Sequence, residues 1–146
     1  MTDCETSSNR KAADIDRERA AEAERERLER AQRAVNALLD KKAQGVSALD
    51  VRALFPFADT FVFATGSSDR HVRALADSLM QTFAQLGEKP LGEEGYAEGR
   101  WVLVDLNDIV VHIFVPEARE YYDLDRLWSD APRIELEATS QRRSAP

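Results

Sequence analysis

The sequence predicts an α/β protein: a mixed sheet of about five strands with flanking helices. Three observations lead there. Thr60–Thr65 (TFVFAT) is a near-continuous apolar run of strand length, as a central strand covered on both faces requires. Directly after it, Val72, Leu75, Ala76, Leu79, Phe83 and Leu86 recur at helical spacing. Arg100–Leu106 and Ile109–Val115 then form an antiparallel hairpin, because Asn107-Asp108 between them is a two-residue turn that tolerates positive φ.

The remaining elements follow in chain order. Residues 1–14 read as a disordered leader. From about Ile15 to Lys42 the chain is rich in Ala, Glu and Arg, which favour a helix. Glu26/Arg30 and Glu29/Arg33 add Glu-first pairs four residues apart. Only from Leu28 onward does this helix carry an apolar face (Leu28, Ala31, Val35, Leu38/Leu39), so its second half docks and its first half is a solvated extension. No heptad is sustained through residues 15–27, which argues against a coiled coil. Gly45 is the expected C-cap. Val46–Val51 reads as a strand, and Leu54-Phe55-Pro56-Phe57 as an apolar loop that cannot continue a ladder at Pro56. Gly66 turns the chain after Thr65. Ser67 or Ser68 caps the next helix, with Asp69 in its first turn, and Gly87 stops it after about Leu86. Lys89–Leu91 is a candidate short strand, and Gly92–Gly99 (GEEGYAEG) reads as a polar, flexible loop. Pro116 ends the hairpin, and Glu117–Trp128 reads as a short helical piece. These boundaries give a charged extension over 1–27, one domain over 28–135 and a polar tail over 136–146.

Charge is unevenly distributed. Residues 1–39 hold nine acids and eight bases, whereas residues 88–135 hold twelve acids against five bases, a local net of −7 equal to that of the whole chain. Such a field disfavours direct contact with phosphate backbones and favours a basic protein surface or a cation. The lone cysteine, Cys4, has no partner for an internal disulfide and no metal-ligand spacing around it, as expected in a reducing cytoplasm. No apolar run approaches membrane-spanning length and no signal peptide is recognisable, so the expected protein is soluble, cytoplasmic and not exported. No metal site and no cofactor is expected.

Catalytic constellations are sparse. Thr65-Gly66-Ser67-Ser68-Asp69 follows a buried strand and opens a helix, where oxyanions often bind. It resembles the Gly-Ser turn of nucleotidyltransferase-fold enzymes. Those enzymes need an acid-x-acid pair about ten residues on, plus a third acid on a later strand. Here only Asp77 is in place, with Leu79 where the second acid belongs. Asp77 falls on the helix face away from the core, and Asp105 has no pair to join. The turn therefore reads as structural. His112 lies with Val110 and Phe114 on one strand face and reads as a buried or half-buried histidine. His71 has no nearby catalytic partner in sequence, and no serine sits in a nucleophile elbow. Trp101 alternates with Leu103 and Asp105, while Leu106 falls with Val102 and Val104. That pattern leaves Trp101 open as either core filler or interface anchor. Tyr121 and Tyr122 stand among acids, the setting of an exposed binding residue. Leu124, Leu127 and Trp128 are expected to cover the edge of the sheet.

Four stretches together carry a family resemblance: ALDVR at 48–52, DTFVFATGSSDRHVRALAD at 59–77, GRWVLVDLNDIVVHIF at 99–114 and PEAREYYDLDRLWSDAP at 116–132. In this order they resemble the ribosomal silencing factor family, which is similar to a mitochondrial ribosome assembly factor. The resemblance covers about residues 28–133. It implies a nucleotidyltransferase-like fold without the catalytic acids and a non-enzymatic role without cofactors. It also implies binding to protein fourteen of the large ribosomal subunit, which blocks joining of the small subunit and lowers translation when nutrients are scarce. The positions matching the family's contact surface are Trp101, Leu106 and Tyr122, with Asp105, Glu93 and Glu94 as nearby acids. Family members are often dimeric, so a homodimer is a further expectation. The acidic field suits a basic ribosomal protein and little direct nucleic-acid contact. Two alternatives remain: an assembly chaperone using the same surface, and a nucleotide-binding enzyme built on the Gly66-Ser67 turn. For residues 1–27 the mixed charge favours a spacer over an RNA contact through Arg17, Arg19, Arg25 and Arg27.

Overall fold

The structure, a computed structural model, describes the backbone of residues 2–137 and the side chains of residues 11–137. The chain divides into two compact units, residues 1–30 and 31–146. Helix α1 (Thr2–Asp40) supplies the first unit and ends in the second. It begins far ahead of Ile15, where the leader was expected. No Gly or Pro interrupts residues 1–40, and Asp14–Arg17 and Glu24–Arg27 ion pairs, three residues apart, support its first unit. The polar tail expected from residue 136 lies almost wholly outside the described residues.

The second unit holds strands β1 (Gln44–Asp50) and β2 (Thr60–Thr65), then helix α2 (Asp69–Ala84). Strands β3 (Gly92–Glu94), β4 (Trp101–Asp105) and β5 (Ile109–Phe114) follow, then helices α3 (Pro116–Tyr122) and α4 (Leu124–Leu127). The five strands form one sheet in the order β1-β2-β5-β4-β3. Only β2 and β5 run parallel; the other neighbours are antiparallel, so the sheet is mixed as predicted. The apolar run at 60–65 is indeed central, buried except at its last residue. The hairpin turn is also as predicted: Asn107 adopts φ 79°, and the Leu106 amide donates to the Ile109 carbonyl at 2.8 Å.

Alternation divides the sheet into two unlike faces. One face carries Val62, Ala64, Val102, Val104, Ile109, Val111 and Ile113, all fully buried. Helix α2 adds Val72, Leu75, Ala76, Leu79 and Phe83 to this core, and the end of α1 adds Ala34, Val35 and Leu38. Each large side chain so buried contributes roughly 1.5–3 kcal/mol by removal from water. Ser78 Oγ donates to the Ala37 carbonyl at 3.1 Å, joining the two helices. The opposite face carries Phe61 and Phe63 of β2, Val110, His112 and Phe114 of β5, and Trp101, Leu103 and Asp105 of β4. No long helix among the described residues packs on it. Phe55, Leu124 and Trp128 pack over part of it, and the β4 residues stay half-exposed.

Several local expectations need correction. Lys42, at φ 66°, makes the left-handed turn that ends α1; Gly45 instead lies in β1, where the pairing with β2 shifts register. Leu86 falls beyond the end of α2 and is exposed rather than core. The third strand is Gly92–Glu94, not Lys89–Leu91, and the GEEGYAEG segment is pinned rather than free. Tyr96 Oη donates to Asp77 at 3.0 Å, and Arg73 donates to the Ala97 carbonyl at 3.3 Å, so the loop docks onto α2. Gly95 makes this possible. It has φ 82°, and a Cβ there would stand 2.1 Å from the Trp101 carbonyl oxygen. The single helical piece expected over 117–128 is two helices, because Asp123 takes a left-handed conformation between them.

Candidate functional site

The open sheet face is an unbroken row of rings. It runs from Phe57 to Phe55 (5.5 Å between centroids), Phe55 to Trp128 (5.9 Å) and Trp128 to Phe61 (4.8 Å). It continues to His112 (5.2 Å), Trp101 (6.0 Å), Tyr122 (4.7 Å) and Tyr121 (5.0 Å). The middle of the row is covered and both ends are bare, with Phe57 78% and Tyr121 80% exposed. Aromatic pairs at these spacings hold one another in place, so the exposed rings sit on a rigid base. Rigid Trp and Tyr on a half-covered sheet are the side chains that dominate protein–protein hot spots.

Helices α3 and α4 complete the face, and Arg119 fixes them. Its guanidinium donates to the Gly45 carbonyl at 2.6 Å and to Thr65 Oγ1 at 2.9 Å. It also forms a forked pair with Asp125 at 2.9 and 3.0 Å, which holds that carboxyl below its usual range against the opposing effect of burial. Tyr122 is thereby set beside Trp101, and Trp128 folds back over Phe61.

His112 is 6% exposed and anchors Trp101 from below. The Trp101 indole Nε1–H donates to His112 Nδ1 at 3.2 Å, which puts the proton of the neutral ring on Nε2. Nε2 has no partner among the described residues. Burial pushes the histidine down to about 4, so the ring is neutral at physiological pH and reads as a structural acceptor. His71 is structural too, although a serine does stand beside it, contrary to the sequence reading: Nδ1 accepts from the Ser67 amide at 2.8 Å and lies 3.2 Å from Ser67 Oγ, while Nε2 donates to the Lys41 carbonyl at 2.7 Å. Ser68 is the N-cap of α2 and accepts from the His71 amide.

The expected site residues do not all share this face. Trp101, Tyr122 (48% exposed) and Asp105 do, and so does Glu94, whose register partner on β4 is Leu103. Glu93 pairs with Val104 and falls by alternation on the other side, where its carboxylate accepts from the Tyr96 amide at 3.1 Å. Leu106 is only 4% exposed and packs in the core, so it supports the hairpin turn rather than presenting a surface. Trp128 covers the face of the sheet rather than its edge, and Leu127 points away at 71% exposure. Phe55, Phe61 and Leu103 belong to the site without having been singled out. The two-residue turn alone implies the pairing Leu103↔His112 and Trp101↔Phe114, which would have placed Leu103 there. Asp77 and Asp105 lie toward opposite faces of the sheet and do not converge. Among the described residues no group of three or more His, Cys, Asp and Glu is arranged to hold a metal. None of their helices is long and apolar enough to cross a membrane.

Comparison with known proteins gives this face a context. Residues 20–146 match the family model described as ribosomal silencing factor during starvation. A ribosomal silencing factor of Halalkalibacterium halodurans is 45% identical over 106 residues, covering 73% of this chain and 91% of that protein. One from Bacillus subtilis is 41% identical, covering 71% and 88%. The mouse protein named for mitochondrial assembly of the ribosomal large subunit is 30% identical over 98 residues, 65% of this chain and 43% of its own length. A crystal structure of a Chromobacterium violaceum protein superposes with a TM-score of 0.68 at 36% identity, covering 80% of this chain and 97% of that one. A Bacillus halodurans crystal structure gives 0.66 at 42% identity, covering 73% and 96%. With the family model matching most of its length, the chain belongs to the ribosomal silencing factor family.

Proposed function

We propose that the open aromatic face binds protein fourteen of the large ribosomal subunit, and that the bound protein blocks joining of the small subunit and so represses translation under nutrient limitation. The family is one of ribosome-associated regulatory factors, not enzymes. The large subunit as partner is supported by the mouse relative, whose name places it in large-subunit assembly. The observation that carries the reading is the rigid ring row with Trp101 and Tyr122 in mutual contact, 4.7 Å apart, beside Asp105 and Glu94, two acids that form no ion pair among the described residues. Aromatic anchors ringed by acid suit a basic ribosomal protein. Trp101, Tyr122, Asp105 and Glu94 make the contact in this reading, while Leu106 and Glu93 shape the hairpin and loop behind it. The protein acts in the cytoplasm.

Adding the purified protein to separated subunits before raising Mg²⁺ tests the reading by light scattering. Less scattering, with the protein recovered on free large subunits, is the expected outcome. Normal joining with saturating protein would refute the block. A second reading, an assembly chaperone on the same face, draws on the name of the mouse relative. It predicts accumulation of immature large subunits during growth when the protein is absent, whereas silencing predicts excess joined ribosomes in starvation.

A further inference from the structure

The ring row encloses a cleft with a specific chemistry. About 340 Å³ is bounded by Phe55, Phe61, Trp101, Leu103, Leu124 and Trp128, with His112 and Val110 at its floor and Asp105 at its rim. The walls are aromatic and aliphatic almost throughout. The one charge is the Asp105 carboxylate, whose Oδ1 accepts from the Asn107 amide at 2.8 Å and which forms no ion pair among the described residues. An apolar slot walled by indole and phenyl rings, ending at a carboxylate with spare lone pairs, matches a long cationic side chain. Its methylenes lie along the rings, its charged plane stacks on an indole, and its N–H groups reach the acid.

We infer that this cleft is an arginine-binding pocket: it takes one arginine side chain of the basic protein partner, with the guanidinium on Asp105 between Trp101 and Trp128. Arginine is preferred over lysine because a planar guanidinium stacks on rings and offers a donor fork to a carboxylate, whereas an ammonium is a compact, strongly hydrated charge. The inference deepens the reading given above by naming the side chain that the face captures. Its test does not need the ribosome.

The chain has two tryptophans, and both line the cleft, so intrinsic fluorescence reports on it directly. The full-length protein is titrated at constant ionic strength with N-acetyl-arginine amide and with N-acetyl-citrulline amide, a neutral isostere. The expected result is a saturable change in tryptophan emission with the arginine compound and at least about fivefold weaker binding of the citrulline compound. Asp105→Asn should erase that difference. This variant keeps the turn, since the asparagine side-chain oxygen still accepts from the Asn107 amide. Equal binding of the two compounds, or no saturable change with arginine, would overturn the inference. The citrulline comparison decides even if the variant does not fold. Arginine capture without large-subunit binding would leave the pocket standing and refute the ribosomal reading. Large-subunit binding without arginine selectivity would do the reverse.

Discussion

His112 gives the fold a pH dependence that can be calculated. The ring is buried on the open face, accepts from the Trp101 indole and is pushed from 6.5 down to about 4 by loss of solvation. Its folded value lies below its unfolded one, so the unfolded chain binds more protons between the two. Stability contributed by the neutral ring is therefore constant above pH 6.5 and falls as pH drops from 6.5 toward 4. At about 1.4 kcal/mol per unit, the full span amounts to about 3 kcal/mol, of which about 2 kcal/mol is lost between pH 7 and pH 5. Carboxylates titrate in the same range, so the variant His112→Asn serves as the reference. It retains a side-chain oxygen near the Nδ1 position but cannot charge. Urea unfolding of both proteins at pH 7 and pH 5 isolates the term. The wild type should lose about 2 kcal/mol more than the variant across that interval. Equal losses in the two proteins would show that the ring is not held neutral by burial, and the account of how Trp101 is anchored would fail with it.

Other consequences follow from particular contacts. Gly95→Ala places a methyl group 2.1 Å from the Trp101 carbonyl on a backbone at φ 82°. It should cost on the order of 2 kcal/mol in thermal or urea unfolding and alter Trp101 emission; an unchanged protein would mean the loop is not pinned as described. Leu79→Ala, in the fully buried stripe of α2, should lower stability by roughly 2–5 kcal/mol, readable as a shift in urea midpoint without a change in slope. Glu94→Lys should slow association with large subunits in stopped-flow at low salt, and the effect should fade as salt rises. Unaltered kinetics at low salt would remove Glu94 from the approach surface.

Much of the fold was legible because its signals are local and periodic. TFVFAT is apolar at every interior position, and a run with no polar face has nowhere to go but the middle of a sheet. Asn107 made the hairpin readable, and Ser68 the start of α2. Local signals mislead where long-range geometry overrides local chemistry. Lys42, not Gly45, takes the left-handed turn that ends α1. GEEGYAEG looks like a free loop because its tethers, Tyr96 to Asp77 and Arg73 to Ala97, join residues about twenty positions apart. The same limit applied at the site. Alternation correctly grouped Trp101, Leu103 and Asp105 on one strand face and put Leu106 on the other. Composition alone could not tell that Trp128 would fold back over Phe61, because that depends on Asp123 breaking the helix and Arg119 bracing it against β1 and β2. The cleft is a product of tertiary closure, formed by residues 55 to 128, and no single motif encodes it.

The central claim is that the Trp101 face recognises protein fourteen of the large subunit. Binding of the isolated ribosomal protein by wild type and by Trp101→Ala, each first shown to be folded by circular dichroism, tests it most directly. The account predicts saturable binding by the wild type and a loss on the order of 2 kcal/mol or more, about thirtyfold in affinity, for the variant. Absence of wild-type binding, or equal affinity of the two folded proteins, would contradict it.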